Sequence, residues 1–177
     1  MNLSFLGPFH PQIVHAPIAM LIFSAFFAIV GRLFDREWLK KASVVMLVFG
    51  FLGAFLAEQS GKPAHKVPEH QQGVPEHAID THAALAQKVT LLAGSALVAF
   101  AIASRLKGAA ASALTTLAFV LQLGAAVMVG ITAYWGGKLV YEHGANVHVD
   151  GQLVKSIHAG EHPADEPGES EEHAPGR

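Results

Sequence analysis

The sequence contains no cysteine, and only 15% of its 177 residues are charged. The absence of cysteine excludes a disulfide framework, a zinc ribbon, a thiol nucleophile and a cysteine-ligated iron–sulfur cluster. A metal ion would therefore be held by imidazole and carboxylate groups alone. The formal net charge of −2 gives no basic surface of the kind that nucleic-acid binding needs. The chain has the length of one domain, is 51% hydrophobic and has a mean hydropathy of +0.37.

Four apolar segments are almost free of charged residues, and none shows the polar face of a helix in a water-soluble bundle. They cover about residues 13–30, 41–58, 88–105 and 108–137. A transmembrane helix needs roughly 20 mostly apolar residues. The sequence therefore predicts an all-α fold, an integral membrane four-helix bundle within residues 1–147. We expect Asp80 or Thr81 to cap the third helix and Gly144 to stop the fourth.

The charges of the connecting loops predict how the bundle is oriented. The loops between helices one and two and between helices three and four carry six bases and two acids, whereas the rest of the chain carries six bases and twelve acids. Positively charged short loops stay on the cytoplasmic side. Both termini are therefore expected on the outer, periplasmic side of a bacterial inner membrane. Residues 148–177, an acidic and histidine-rich stretch, are expected to form a disordered tail.

Histidine is abundant, and in this topology every histidine falls on the outer side. Four of them are expected at a similar height near the headgroup boundary, close to a carboxylate that ends the second helix. These four histidines and the glutamate are the candidate site residues: His10, His15, His82, His143 and Glu58. Cofactor sites in helix bundles are built from inward-projecting side chains of facing helices. The full set of histidines is His10, His15, His65, His70, His77, His82, His143, His148, His158, His162 and His173.

Three interpretations of the histidines remain open from the sequence. Neutral histidine suits a membrane interface and helix ends, and needs no ligand there. Two of the four candidate histidines could instead be axial ligands of haem b, which would make the protein a small membrane cytochrome. Three or four of them, with Glu58, could bind copper or zinc. Small residues in the helices would either admit a macrocycle or let the helices pack closely: Gly50, Gly53, Gly94, Ser95, Gly124, Gly130, Gly136 and Gly137.

Two motifs resemble a known family. The sequence FHP at 9–11 followed by VHAPIA at 14–19 resembles the opening pattern FHP…VHFPIA of the bacterial predicted membrane proteins grouped as domain of unknown function 2231. The sequence WGGKLVYEHG at 135–144 is similar to the closing pattern of that family. The resemblance spans about residues 6–147, and His82 stands where the family has a histidine opening its third helix. Ala16, in place of an aromatic residue, and Gln87, in place of an asparagine, depart from the pattern.

This resemblance implies a four-helix membrane domain with histidines at its outer face. Members of the family are sometimes joined to Rieske-type iron–sulfur domains, which favours a role in respiratory electron transfer. The resulting hypothesis is a b-type cytochrome-like electron-transfer subunit, with the lipid bilayer, quinol, other respiratory-complex subunits or a periplasmic electron carrier as partners. The alternatives are a non-haem copper or zinc protein and a cofactor-free structural subunit of a larger membrane complex. No enzymatic reaction is predicted with it.

Overall fold

The four apolar segments form four long helices. The computed structural model describes residues 4–64, 74–150 and 152–153. The order of elements is a 3-10 helix (Ser4–Phe9), α1 (His10–Ile13), α2 (His15–Leu33), α3 (Glu37–Ala64), α4 (Glu76–Ala103), α5 (Gly108–Tyr141), β1 (His148–Val149) and β2 (Gln152–Leu153). Within these described ranges, four stretches are long and apolar enough to cross a membrane: Phe5–Leu33, Glu37–Ala64, Glu76–Ala103 and Gly108–Tyr141. The predicted all-α, four-helix membrane fold is confirmed.

Two helix ends differ from the prediction. The helix α3 continues past Glu58 to Ala64, so Glu58 lies inside the helix and does not end it. The helix α4 begins directly after Pro75, so the predicted caps Asp80 and Thr81 lie within it and that prediction is wrong. The Thr81 hydroxyl donates instead to a main-chain carbonyl one turn earlier, at 2.7 Å. Charged residues near the end of a membrane helix lie at the polar interface, so they do not have to end the helix.

The helix α5 ends near its predicted stop. It ends at Tyr141, and Gly144 has a φ of 67°, the left-handed conformation that glycine adopts most easily. The N–H of Gly144 donates to the carbonyl oxygen of Val140 at 3.0 Å. Beyond it β1 pairs with β2 in antiparallel register. The remainder of the predicted tail, residue 151 and residues 154–177, lies outside the described residues.

The helices pack as two hairpins. The helix α2 packs mainly on α3, and α4 packs mainly on α5, while α2–α5 and α3–α4 contacts join the hairpins. This arrangement places α2 diagonally opposite α4. One end of the bundle holds the starts of α1 and α4 and the ends of α3 and α5; we call it the histidine end. The other end holds the connections at 34–36 and 104–107, and we call it the basic end.

Buried polar side chains join three of the helices. The Gln122 side-chain amide on α5 donates to both the hydroxyl and the carbonyl oxygen of Ser24 on α2, at 2.6 and 3.2 Å. The Ser24 hydroxyl in turn donates to the carbonyl oxygen of Ser43 on α3 at 2.8 Å. All three residues are fully buried. Lipid tails are as apolar as the helices, so the hydrophobic effect does not drive membrane helices together. Hydrogen bonds between helices, such as these, therefore help them to associate.

Glycine allows two close approaches between α2 and α3. A Cβ atom on Gly50 would lie 2.7 Å from the Cδ2 atom of Leu21. A Cβ atom on Gly31 would lie 2.9 Å from the backbone nitrogen of Lys40 and 3.0 Å from the Cβ atom of Leu39. A leucine side chain can move, whereas the backbone at the start of α3 cannot move without shifting the helix. Gly31 therefore determines how closely the start of α3 approaches α2.

The substitution Gly31→Ala should destabilise the bundle by about 1–3 kcal/mol, because the added methyl group overpacks a backbone contact. Gly130 on α5 is the matched control, since a Cβ atom there meets nothing within 4 Å. Gly130→Ala should leave stability unchanged or slightly raised, as alanine favours helix over glycine. Thermal unfolding of both variants in the same detergent checks this. Equal unfolding temperatures for the two variants would contradict the assignment.

Candidate histidine site

Two histidines from different helices meet at the histidine end. His10 begins α1, and His82 lies in the second turn of α4. Their ring centroids are 6.5 Å apart, and the ring planes are inclined at 82° in an edge-to-face arrangement. Since α1 leads directly into α2, and α2 lies diagonally opposite α4, this pair bridges the diagonal of the bundle.

The ring of His10 is oriented by α3. Its Nδ1 atom lies 2.9 Å from the hydroxyl oxygen of Ser60, a fully buried residue. The Ser60 hydroxyl donates its own hydrogen to the carbonyl oxygen of Ala57 at 2.9 Å. The serine oxygen therefore accepts from His10, and the proton of the neutral imidazole lies on Nδ1. This tautomer leaves the lone pair of the His10 Nε2 atom available to a ligand.

The ring of His82 is oriented in the same way by α5. Its Nδ1 atom lies 3.1 Å from the carbonyl oxygen of Thr132. A carbonyl oxygen can only accept, so the Nδ1 atom of His82 is protonated and its Nε2 atom carries the lone pair in the neutral ring. Both imidazoles thus share one tautomer, and each is held by the helix beside it.

Glycine lies against each ring. A Cβ atom on Gly61 of α3 would lie 3.2 Å from the Cε1 atom of His10. A Cβ atom on Gly136 of α5 would lie 3.0 Å from the Cε1 atom of His82. The two helices that flank the diagonal therefore present no side chain at these points next to the rings. Of the small residues noted in the sequence, Gly50, Gly53 and Gly94 instead contact aliphatic or aromatic side chains of neighbouring helices.

The other candidate residues are placed differently. His15 is exposed, and its Nδ1 atom lies 2.6 Å from the carbonyl oxygen of Pro11, one turn earlier. His143 is half-buried just beyond the end of α5, and Glu58 is half-buried within α3. Within the described ranges, no group of three or more histidine, aspartate or glutamate residues could hold a metal ion. The structure therefore brings His10 and His82 together, and it does not gather His15, His143 and Glu58 with them into such a group.

Of the remaining histidines, the structure describes two, and neither is part of this pair. His77 lies in the first turn of α4, and His148 is exposed in β1. The other five histidines lie outside the described residues: His65, His70, His158, His162 and His173.

Three residues of the site were not found from the sequence: Ser60, Gly61 and Thr132. Ser60 and Gly61 were missed because the second helix was predicted to end at Glu58. Thr132 contributes a main-chain carbonyl, which no residue type signals. Its side chain donates to the carbonyl oxygen of Met128 at 2.8 Å, as threonine does in an apolar helix. If the predicted end of the second helix were placed at Ala64, where the structure has it, the helix would include Ser60 and Gly61.

A comparison with protein families identifies the family of this chain. The family model described as predicted membrane protein (DUF2231) matches residues 7–150, a range that includes both histidines of the pair and all four long helices. No curated protein and no solved structure matches the chain.

The shared tautomer is directly measurable. At a pH where both rings are neutral, ¹⁵N spectra of the histidine-labelled protein should show Nδ1-protonated signals for His10 and His82. Ser60→Ala removes the hydroxyl acceptor of His10 and should change the His10 signals alone, because His82 is held by a main-chain carbonyl. Ser104→Ala, at an exposed serine of the basic end, is the control and should change neither. Nε2-protonated signals for both rings would contradict the assignment.

Proposed function

The chain belongs to the DUF2231 family of predicted membrane proteins, and we propose that it is a b-type cytochrome-like electron-transfer subunit in which His10 and His82 hold haem b. The observation that carries the proposal is the pair of imidazoles on diagonally opposite helices, 6.5 Å apart between ring centroids. Of the four candidate histidines named from the sequence, the proposal thus assigns two as haem ligands.

The distance between the two ring centroids is close to that expected for two imidazoles that would hold one metal ion between them. A bond between a metal and an imidazole nitrogen is about 2.0–2.1 Å long, so two opposite nitrogens are about 4 Å apart and their ring centres about 6 Å apart. Rings inclined to each other are compatible with such ligation, because each ring can rotate about its own metal–nitrogen bond.

The hydrogen bonds of the pair also suit ligation. A metal-ligating histidine almost always donates its other ring N–H to a carbonyl, carboxylate or water, which sets the tautomer and the ring orientation. The Ser60 hydroxyl and the Thr132 carbonyl have this role towards the Nδ1 atoms of His10 and His82. If the two rings only packed against each other, they would not need to share one tautomer. Nor would each ring need an unprotonated Nε2 atom.

The surroundings favour a flat macrocycle over a bare ion. A bare copper or zinc ion takes further ligands from the protein, and three-residue groups of that kind are absent from the described residues. In haem, the porphyrin supplies four of the iron ligands, and the protein has to supply the remaining two. Gly61 and Gly136, on the flanking helices, keep side chains away from the rings where the macrocycle needs room.

Bound haem would supply one-electron chemistry. The residues of the chain would bind and orient it. Ser60 and Thr132 would fix the two ligand rings, and the surrounding helices would lower the local dielectric, which tunes the reduction potential. Placement at the end of the bundle would allow electron exchange between quinol or a respiratory subunit in the membrane and a carrier outside it.

The proposal includes an orientation in the bacterial inner membrane, with the histidine end facing the periplasm. Its support is the positive charge at the basic end. The two connections there, together with the adjoining helix ends, carry six bases and two acids. Reporter fusions after residue 147 and within the connection at 104–107 test it. A reporter that is active only in the periplasm should be active at the first site and inactive at the second, and the reverse pattern would overturn the orientation.

The haem proposal is tested by a reduced-minus-oxidised visible spectrum of the protein purified in mild detergent after expression with haem supplied. Sharp bands of a six-coordinate b-type haem are expected. His10→Ala and His82→Ala should each abolish or shift them, while His15→Ala, the matched control, should leave them unchanged because His15 is exposed and bonds within its own segment. Ser60→Ala should weaken haem retention about 10–100-fold, the usual cost of losing a partner of a ligand.

Other outcomes would overturn the haem proposal in distinct ways. Copper or zinc in near-equal amount to the protein, without porphyrin, would assign a non-haem metal protein. Purification without any cofactor, together with a stable partner on native gels, would assign a structural subunit of a larger complex. An unchanged spectrum in His10→Ala and His82→Ala would show that the axial ligands are other residues.

A further inference from the structure

A cleft whose lining includes three basic residues opens at the basic end, far from the histidine pair. Its volume is about 380 Å³. It lies between the end of α2, the start of α3 and the adjoining turns of α4 and α5. Its lining combines three cations with apolar and hydroxyl groups: Arg32, Lys40, Lys41, Ser43, Val44, Phe100 and Thr115.

Arg32 is the most buried of the three cations that line this cleft. It is half-buried, its Nη1 atom donates to the carbonyl oxygen of Ala28 at 3.1 Å, and its guanidinium lies 3.9 Å from the ring centre of Phe119. In the part of the chain that the structure describes, no carboxylate lies within ion-pair distance of it. The ring and the carbonyl orient the guanidinium, and its other N–H groups remain available to an anion.

The two lysines differ in how their charge is compensated. The Nζ atom of Lys40 lies 2.7 Å from a carboxylate oxygen of Asp35 and 2.7 Å from one of Glu37. The hydrogen bond from Lys40 holds the pKa of Asp35 below its usual range. Lys41 is exposed and has no carboxylate partner among the described residues. Among the residues that the structure describes, Arg32 and Lys41 are thus the two cations of the cleft without a carboxylate partner.

We propose that this cleft binds the phosphate group of an anionic phospholipid, with Arg32 and Lys41 as its cationic contacts. Basic pockets between transmembrane helices bind lipid headgroups in this way, and a guanidinium matches phosphate oxygens in a bidentate geometry. Val44 and Phe100 supply apolar walls, which suit the glycerol and acyl portion of a lipid and offer nothing to free phosphate. The shared chemistry is recognition of a phosphate group, and the two sources are distinguished by experiment.

The test uses the full chain in a non-ionic detergent, with thermal unfolding and native mass spectrometry as readouts. Phosphatidylglycerol should raise the unfolding temperature and remain bound, while phosphatidylcholine should do so less. The double variant Arg32→Gln with Lys41→Gln should lose the difference between the two lipids, with an affinity for phosphatidylglycerol reduced about tenfold or more. Lys41→Gln alone, at an exposed position, keeps the test valid if Arg32→Gln does not fold.

The control removes the same charge from the same end of the bundle. Arg36→Gln and Arg105→Gln alter exposed residues that do not line the cleft, and they should retain the preference for phosphatidylglycerol. A parallel titration with inorganic phosphate should give no stabilisation of its own. If phosphate alone reproduces the effect, the cleft binds a soluble anion and the lipid assignment is wrong. Equal losses in the control and cleft variants would show a diffuse surface attraction and overturn the proposal.

Discussion

The hydrocarbon core offers no water to polar groups, so every backbone N–H and C=O within it must find a partner inside the chain. Helices meet this requirement with their own hydrogen bonds, and the described membrane-spanning segments are all helical. Hydroxyl side chains follow the same rule: Thr115, Thr116 and Thr132 each donate to a carbonyl of their own helix. Among the described residues, few polar groups are therefore left to form hydrogen bonds between helices. Each such bond helps to determine how the helices pack against one another.

Two kinds of contact supply that specification. In the middle of the bundle and towards its basic end, Gln122, Ser24 and Ser43 connect α5, α2 and α3 through fully buried hydrogen bonds. At the histidine end, His10 and His82 connect α1 to α3 and α4 to α5 through their Nδ1 atoms. Small residues let the helices approach closely enough for these bonds to form, since lipid and protein interiors are equally apolar and size complementarity drives association.

Much of this fold could be predicted from the sequence, because hydropathy and length decide which segments can span a bilayer. The end of α3 and the start of α4 could not, since Glu58 and Asp80 are charged residues that lie inside helices near the interface. The candidate histidines were recognised by their shared height, but height does not show which helices are diagonal or which rings meet. The partners Ser60 and Thr132 lie 50 residues from the histidines they orient, so they depend on helix pairing that one sequence does not reveal.

The two proposed sites differ in the charge of their basic side chains, and the difference has an electrostatic reason. Imidazole can be neutral near physiological pH, so a histidine pair can lie among packed helices without the large cost of burying a charge. Guanidinium and ammonium groups remain charged, so Arg32 and Lys41 have to stay at the boundary, where a guanidinium can rest on Phe119 and still face an anion. An uncharged donor pair suits a cofactor enclosed by helices, whereas boundary cations suit the phosphate layer of the lipid. The two proposed sites thus differ in whether their basic side chains are neutral or charged, and a change at one site should not alter binding at the other.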